Sequence, residues 1–334
     1  MRILITGGAG FVGHHFVEHF LKNTNAEIVV IDKLSYASNG FDRLRDIDAF
    51  DDKRVLSLAV DFTKSLPTGV KQEIGEVDYI FHLGAESHVD NSITDPEPFV
   101  QSNVVGTMHM LNFAKQLPSL KCFFYFSTDE VFGPAPEGVD YKEEDPHNPT
   151  NPYSATKSSG EMLVKAYRNT YNLPAIITRS MNIFGERQHP EKFIPMVIKK
   201  VLNGDKIEVH ANADKTKAGS RFYIHARNVA DGYLHLVKQI DVLKLKKINE
   251  DFHITGEKEV DNEKMVKLIA LFLGKEPNYK LVDFHSSRPG HDLRYALSGK
   301  KMEAYGWRPS KTFEDSLKKT VAWFTSEEHN HWLK

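Results

Sequence analysis

The chain has 334 residues, 40% hydrophobic and 26% charged, with a formal net charge of -2. That length suits two lobes sharing an interface, and the near-neutral balance gives no electrostatic basis for binding nucleic acid or an anionic membrane. One cysteine, Cys122, excludes an intramolecular disulfide and fits a reducing compartment. The opening MRILITGGAG is too short and Gly-rich for a signal peptide, and no apolar run approaches the roughly 20 residues of a membrane helix. The expectation is a cytoplasmic protein.

In chain order, RILIT (2–6) predicts a strand and FVGHHFVEHFLK (11–22) an amphipathic helix. Between them TGGAGFVG carries Gly7, Gly10, Phe11, Val12 and Gly13, a turn in which missing Cβ atoms let a pyrophosphate approach the helix N-terminus. EIVVID (27–32) is the next strand and ends in Asp32, about 20 residues on, where an acid binds the adenosine ribose diol. An acid there repels a 2′-phosphate, which favours NAD over NADP, with Lys33 beside it. RVLSLAVDF (54–62) is a strand that places Asp61 and Phe62 against the adenine. DYIFHLGA (78–85) follows, with Leu83 and Ala85 assigned to the cofactor wall.

A helix is predicted over 97–117, a strand over 122–128, a helix over 153–171 and a strand over 174–180. This alternation predicts an α/β fold, a Rossmann-like doubly wound parallel sheet, because each crossover must carry the chain back over the sheet. Beyond 180 the rhythm becomes irregular, with helices near 191–203, 228–239, 260–273 and 313–325. The expected division is an NAD-binding domain over 1–180, with a return segment about 222–255. A smaller α/β substrate-binding lobe covers 181–334.

The strand over 122–128 delivers FSTDEVFG: Ser127 and Thr128, then the adjacent carboxylates Asp129 and Glu130. Tyr153 and Lys157 form a YxxxK pair on one helix face, where a cation near the phenol lowers its pKa toward general-base use. Thr128 or Ser127 can bond a sugar hydroxyl beside Tyr153. The glycine turn, Asp32, Asp61, the Ser/Thr strand end and YxxxK together resemble the extended short-chain dehydrogenase/reductase family over essentially the whole chain. Hydride transfer with Tyr153 as base needs no paired acids. Asp129 and Glu130 add a second proton chemistry, in which one removes a C5 proton beside a C4 ketone and the other protonates the departing C6 hydroxyl.

Within that family the Thr-Asp-Glu triplet is similar to the dTDP-glucose 4,6-dehydratase branch, as are DKLSYASN (32–39), GAESHVDNSI (84–93), HPEKFIP (189–195) and RPGHD (288–292). The resemblance implies NAD as cofactor, a nucleotide-diphosphate sugar as substrate and a homodimer built on the helices near 97–117 and 153–171. It assigns Ser87, His88, Asn182, Lys192, Phe193, Arg221, Arg288 and His291 to the substrate, the arginines suiting phosphate through their planar donors. For Phe193 a core role is an equal alternative. Phe222 after the arginine, a short loop between Gly133 and Tyr153, and the Lys-rich ADKTKAGSR (213–221) depart from the branch and leave the base, dTDP or UDP, open. Alternative readings are a UDP-sugar 4-epimerase, a UDP-glucuronate decarboxylase and a non-catalytic NAD-binding module. The 16 histidines show no ligand spacing, and no metal is expected.

Overall fold

The computed structural model describes residues 1–243, 249–283 and 294–334. Strands β1 (Arg2–Thr6), β2 (Glu27–Asp32), β3 (Val55–Ala59), β4 (Tyr79–His82), β5 (Cys122–Thr128) and β6 (Ala175–Ser180) alternate with helices. After the short β7 (Ile183–Phe184), β8 (Ile207–Ala211), β9 (Ser220–Phe222) and β10 (Ile224–His225), the chain returns as β11 (Asp251–Ile254). The main sheet is parallel with order β11-β6-β5-β4-β1-β2-β3. The order reverses between β1 and β4, and that split opens a crevice at their carboxyl ends.

Both faces of the sheet are buried, and strand periodicity divides the apolar side chains between them. Ile3, Ile5, Ile28, Val30 and Phe124 join the core beneath the helices Phe11–Asn23 and Ala226–Leu243, where Phe16 meets Tyr233 edge-on at 4.7 Å. Leu4, Val29, Ile31, Phe123 and Tyr125 face the opposite core. Each such side chain contributes about 1.5–3 kcal/mol on full burial, which rules out a one-residue slip of register. A second set of elements has its own core, with Val197, Ile198, Val209, Ile269 and Leu317 at its centre. Its strands form small pairs: β7 with β10, β9 with β12 (Glu259–Asp261), and β8 with β13 (Tyr279–Asp283).

The segment predicted as one helix over 97–117 is Glu97–Val100, a π-helical turn Gln101–Gly106, and Thr107–Ala114. The wider turn sets Asn103 inward. Its carboxamide accepts from Glu86 N (2.9 Å) and donates to Glu86 O (3.0 Å) and Thr156 Oγ1 (3.0 Å). Such turns concentrate at functional sites, and this one ties the loop after β4 to the helix Pro152–Tyr171.

Candidate active site

The crevice becomes a cavity lined at one end by Gly7, Gly10, Phe11, Val12 and Gly13. Gly7 has φ +68, and a Cβ there would sit 2.7 Å from Gly84 Cα. At Gly13 a Cβ would lie 2.1 Å from Gly7 O, so the turn must be bare for the helix to start against it. Helix Phe11–Asn23 has no acid in its first turn and no side-chain cap, leaving its N-terminal amides for an anion. Asp32 is buried, accepting from Ala9 N (3.1 Å) and Leu34 N (2.8 Å), and burial raises its carboxyl above the ordinary range. Lys33 pairs with Glu86 at 2.5 Å. Phe62, Leu83 and Ala85 complete this wall. Asp61, expected against the adenine, does not line the cavity: its exposed carboxylate turns back to Thr63 N (3.0 Å) and Thr63 Oγ1 (2.7 Å). The bare glycine turn and the acid at the end of β2 fit a dinucleotide.

At the other end stand Ser127, Tyr153 and Lys157. The helix carrying YxxxK starts at a capping box, Asn151 with Ser154, has Pro152 in its first turn, and is fastened by Ser92 Oγ accepting from Tyr153 N (3.1 Å). Lys157 Nζ donates to Phe126 O at 2.6 Å and lies 4.4 Å from the Tyr125 ring; burial brings its pKa down to about 7, with Glu161 opposing. Burial, and after it the Glu130 carboxylate, hold the Tyr153 phenol above its ordinary range, with the Thr128 side chain opposing. The expected lowering by Lys157 is therefore not found, because the strand carbonyl takes its ammonium.

A tight 3₁₀ turn, Asp129–Phe132, follows β5 and separates the two acids. Asp129 is buried; its Oδ1 accepts from Thr128 Oγ1 (2.9 Å), and Oδ2 has no partner among the described residues. Burial raises its pKa to about 6, against the pull of the Thr128 hydrogen bond and of Arg221. Glu130 is half-buried and accepts from Asn151 Nδ2 (3.0 Å), the cap of the Tyr153 helix. Thr128, Asp129 and Glu130 thus adjoin Tyr153 without lining the cavity wall themselves.

Ser87, His88 and Lys192 line the cavity, and Glu191 stands between His88 (3.8 Å) and His189 (3.5 Å). Asn182 adopts φ +31, and its carbonyl accepts from Ile224 N (3.4 Å). Phe193 begins the helix Phe193–Asn203 and packs on the second core. Arg221 donates to Ser220 O (2.7 Å) and lies 4.8 Å over Tyr295. Arg288 and His291 lie outside the described residues. No cluster of three or more metal-ligating side chains occurs among the described residues. Ser35–Ser38 and Glu86 also line the cavity; they fall inside DKLSYASN and GAESHVDNSI, although no role is assigned to them singly. Sequence reasoning missed Arg43 and Gln188, which line it too and which no motif marks.

Residues 4–320 match the family model of GDP-mannose 4,6 dehydratase. The dTDP-glucose 4,6-dehydratase 1 of Escherichia coli K12 is 36% identical, over 98% of this chain and 93% of the relative. The low-salt glycan biosynthesis protein Agl12 of Haloferax volcanii is also 36% identical, over 98% and 100%. Among solved structures, the dTDP-glucose 4,6-dehydratase DesIV of Streptomyces venezuelae, with NAD bound, superposes at TM-score 0.87 and 34% identity, over 100% and 99%. A UDP-glucose 4-epimerase of Thermus thermophilus, with NAD, is more distant at TM-score 0.83 and 26% identity, over 98% and 100%. The chain belongs to the GDP-mannose 4,6-dehydratase family, within the extended short-chain dehydrogenase/reductases.

Proposed function

We propose that the protein converts dTDP-glucose to the 4-keto-6-deoxy sugar and water, with Tyr153, Glu130 and Asp129 moving the three protons. As a family member it is an NAD-dependent nucleotide-sugar 4,6-dehydratase, a hydro-lyase. The carrying observation is the pair of acids at the end of β5. Asp129 is buried, with one oxygen that has no hydrogen-bond partner among the described residues and its pKa lifted to about 6, while Glu130 is fastened to the helix of Tyr153. An epimerase has no use for them.

Bound NAD supplies the hydride acceptor for C4 and donor for C6, and its cationic ring adds charge of the sign that favours phenolate. Gly7, Gly10, Gly13, Asp32 and Phe62 would hold it. Tyr153 takes the O4 proton as C4 becomes a ketone, and Thr128 orients the phenol. Glu130 removes the C5 proton, which the ketone acidifies, and gives a proton back to C5 once C6 has been reduced. Asp129, protonated, gives its proton to O6 as the C6–O bond breaks and water leaves. Burial separates the two roles, as the desolvated carboxyl keeps its proton.

Arg221, Arg288, His291, Asn182, Lys192 and Phe193 would hold the nucleotide diphosphate, with Ser87 and His88 near the sugar. The cytoplasm, where nucleotide sugars and NAD coexist, is the expected location; no described helix is long and apolar enough to cross a membrane. A homodimer through the paired helices is supported by exposed Val100 and Met162 on their outer surface. Incubation with dTDP-glucose and, separately, UDP-glucose tests the function. Alkali-induced absorbance of a keto-deoxy product from dTDP-glucose is expected, whereas UDP-galactose from UDP-glucose with no such product would sink the proposal.

A further inference from the structure

Arg43 stands where no motif of the chain predicts a functional group. It is buried in the short helix Asp42–Asp46 and lines the cavity together with Asp32. Its Nη1 donates to Ala37 O (2.8 Å) and Ser38 O (2.6 Å), and its Nε donates to Arg187 O (3.0 Å). Ala37 and Ser38 belong to the loop after β2 that walls the cavity, and Gln188, next to Arg187, lines it from the facing side. One guanidinium therefore joins two walls that reach the site from chain positions about 145 residues apart. The grip is reciprocal, since the Arg187 side chain pairs with Asp46, on the same short helix as Arg43.

Both arginines rest on tryptophans from the C-terminal end. Arg43 lies 5.3 Å from the ring centre of Trp332 and Arg187 lies 4.9 Å from that of Trp323, which in turn stacks on His329 at 4.3 Å. A guanidinium so committed to main-chain carbonyls is a clasp more than an anion receptor, because leaving those carbonyls unpaired carries a full desolvation penalty.

We propose that Arg43 is a positioning residue that sets how long NAD stays bound, and that Trp332 and Trp323 brace it from the second lobe. The need follows from the reaction: the same dinucleotide takes a hydride at one step and returns it at a later one, so release between them aborts the turnover. The inference rests on reading this cavity as the dinucleotide site.

The test is exchange of bound NAD against isotopically labelled NAD in the holoenzyme. Arg43→Lys keeps the charge but has no planar fork for three carbonyls, and exchange should quicken about 10- to 100-fold, the range of a lost charged hydrogen bond. Trp332→Leu should quicken it about 3- to 10-fold by losing the cation–π face, and Trp332→Phe should restore most of that. Affinity for dTDP should be unchanged in all three, a separation that general loosening of the fold would not produce. Wild-type exchange in Arg43→Lys, or dTDP affinity falling in step with NAD retention, overturns the proposal. Asp32→Ala, measured alongside, separates the two levels. If it quickens exchange and Arg43→Lys does not, the clasp alone is wrong; if neither does, the cavity reading fails and the clasp with it.

Discussion

Replacing Asp129 by asparagine should shift relative stability toward the variant as pH rises, while lowering its activity. The carboxyl ordinarily titrates at 3.8 and is held at about 6 in the folded chain, chiefly by burial. A carboxyl whose folded pKa is raised binds its proton more tightly in the native state. Its cost is therefore absent below the unfolded pKa, grows as pH climbs between the two values, and is complete above the folded one. At about 1.36 kcal/mol per pH unit, the gap amounts to about 3 kcal/mol, of which about 1.4 kcal/mol accrues between pH 5 and pH 8. Asparagine carries no charge and still accepts from Thr128, so it escapes that cost. Its new amide donors, placed where Oδ2 has no partner among the described residues, cost about 1–3 kcal/mol at every pH. The diagnostic is therefore the slope, not the level. Urea unfolding of both proteins from pH 4.5 to 8 should show the stability difference shifting toward the variant by about 1.4 kcal/mol between pH 5 and 8. Turnover should fall about 100- to 10,000-fold from loss of the general acid. A difference flat in pH would refute the buried, proton-holding carboxyl, and with it the assignment of acid and base.

Tyr153→Phe should lower turnover at least ~100-fold with NAD binding retained, as expected for removal of a general base, and near-wild-type turnover would exclude that role. Glu130→Gln should still oxidise C4, so reduced-nicotinamide absorbance should build up in a single turnover while C5 exchange with solvent deuterium is lost; normal exchange would move the base elsewhere. Gly160→Ala places a Cβ 2.1 Å from Tyr125 Oη and 2.9 Å from Asn103 O, where the two helices meet β5. It should cost about 1–3 kcal/mol of stability by overpacking, read by urea unfolding, and a neutral result would show that the contact gives way.

The parallel sheet was legible because period-2 apolar runs and turn glycines are local signals, and β1, β2, β5 and β6 lie within a residue of their predicted bounds. The π-helical turn at Gln101–Gly106 was not legible. It answers to a tertiary demand, Asn103 bridging Glu86 and Thr156, that leaves no trace in helical periodicity. The site divides the same way. Gly7, Gly13 and Asp32 line the cavity where the chain turns, so spacing picks them out. Arg43 works through carbonyls from two distant segments and through indoles near the other end of the chain. Lys157 shows the limit of the helical-face argument: i and i+4 place it beside Tyr153, but the Phe126 carbonyl decides where its ammonium goes.

The two acids, adjacent in sequence, answer to different parts of the molecule. Glu130 is bonded to Asn151, the cap of the Tyr153 helix, so the proposed C5 base and the proposed O4 base share one rigid support. Asp129 feels Arg221 on β9, whose positive charge pulls its pKa down against burial. If Arg221 binds the substrate diphosphate, that anion offsets the pull, and the carboxyl gains proton affinity as substrate arrives. The pH–rate profile separates the two states, since kcat/KM reports the free enzyme and kcat the complex. The alkaline limb due to Asp129 should lie near about 6 in kcat/KM and move upward in kcat. Arg221→Gln should raise the limb in kcat/KM and shrink the difference between the two profiles. Identical limbs in wild type and variant would show that Asp129 is charged by its own pocket alone, and that substrate binding does not arm the acid.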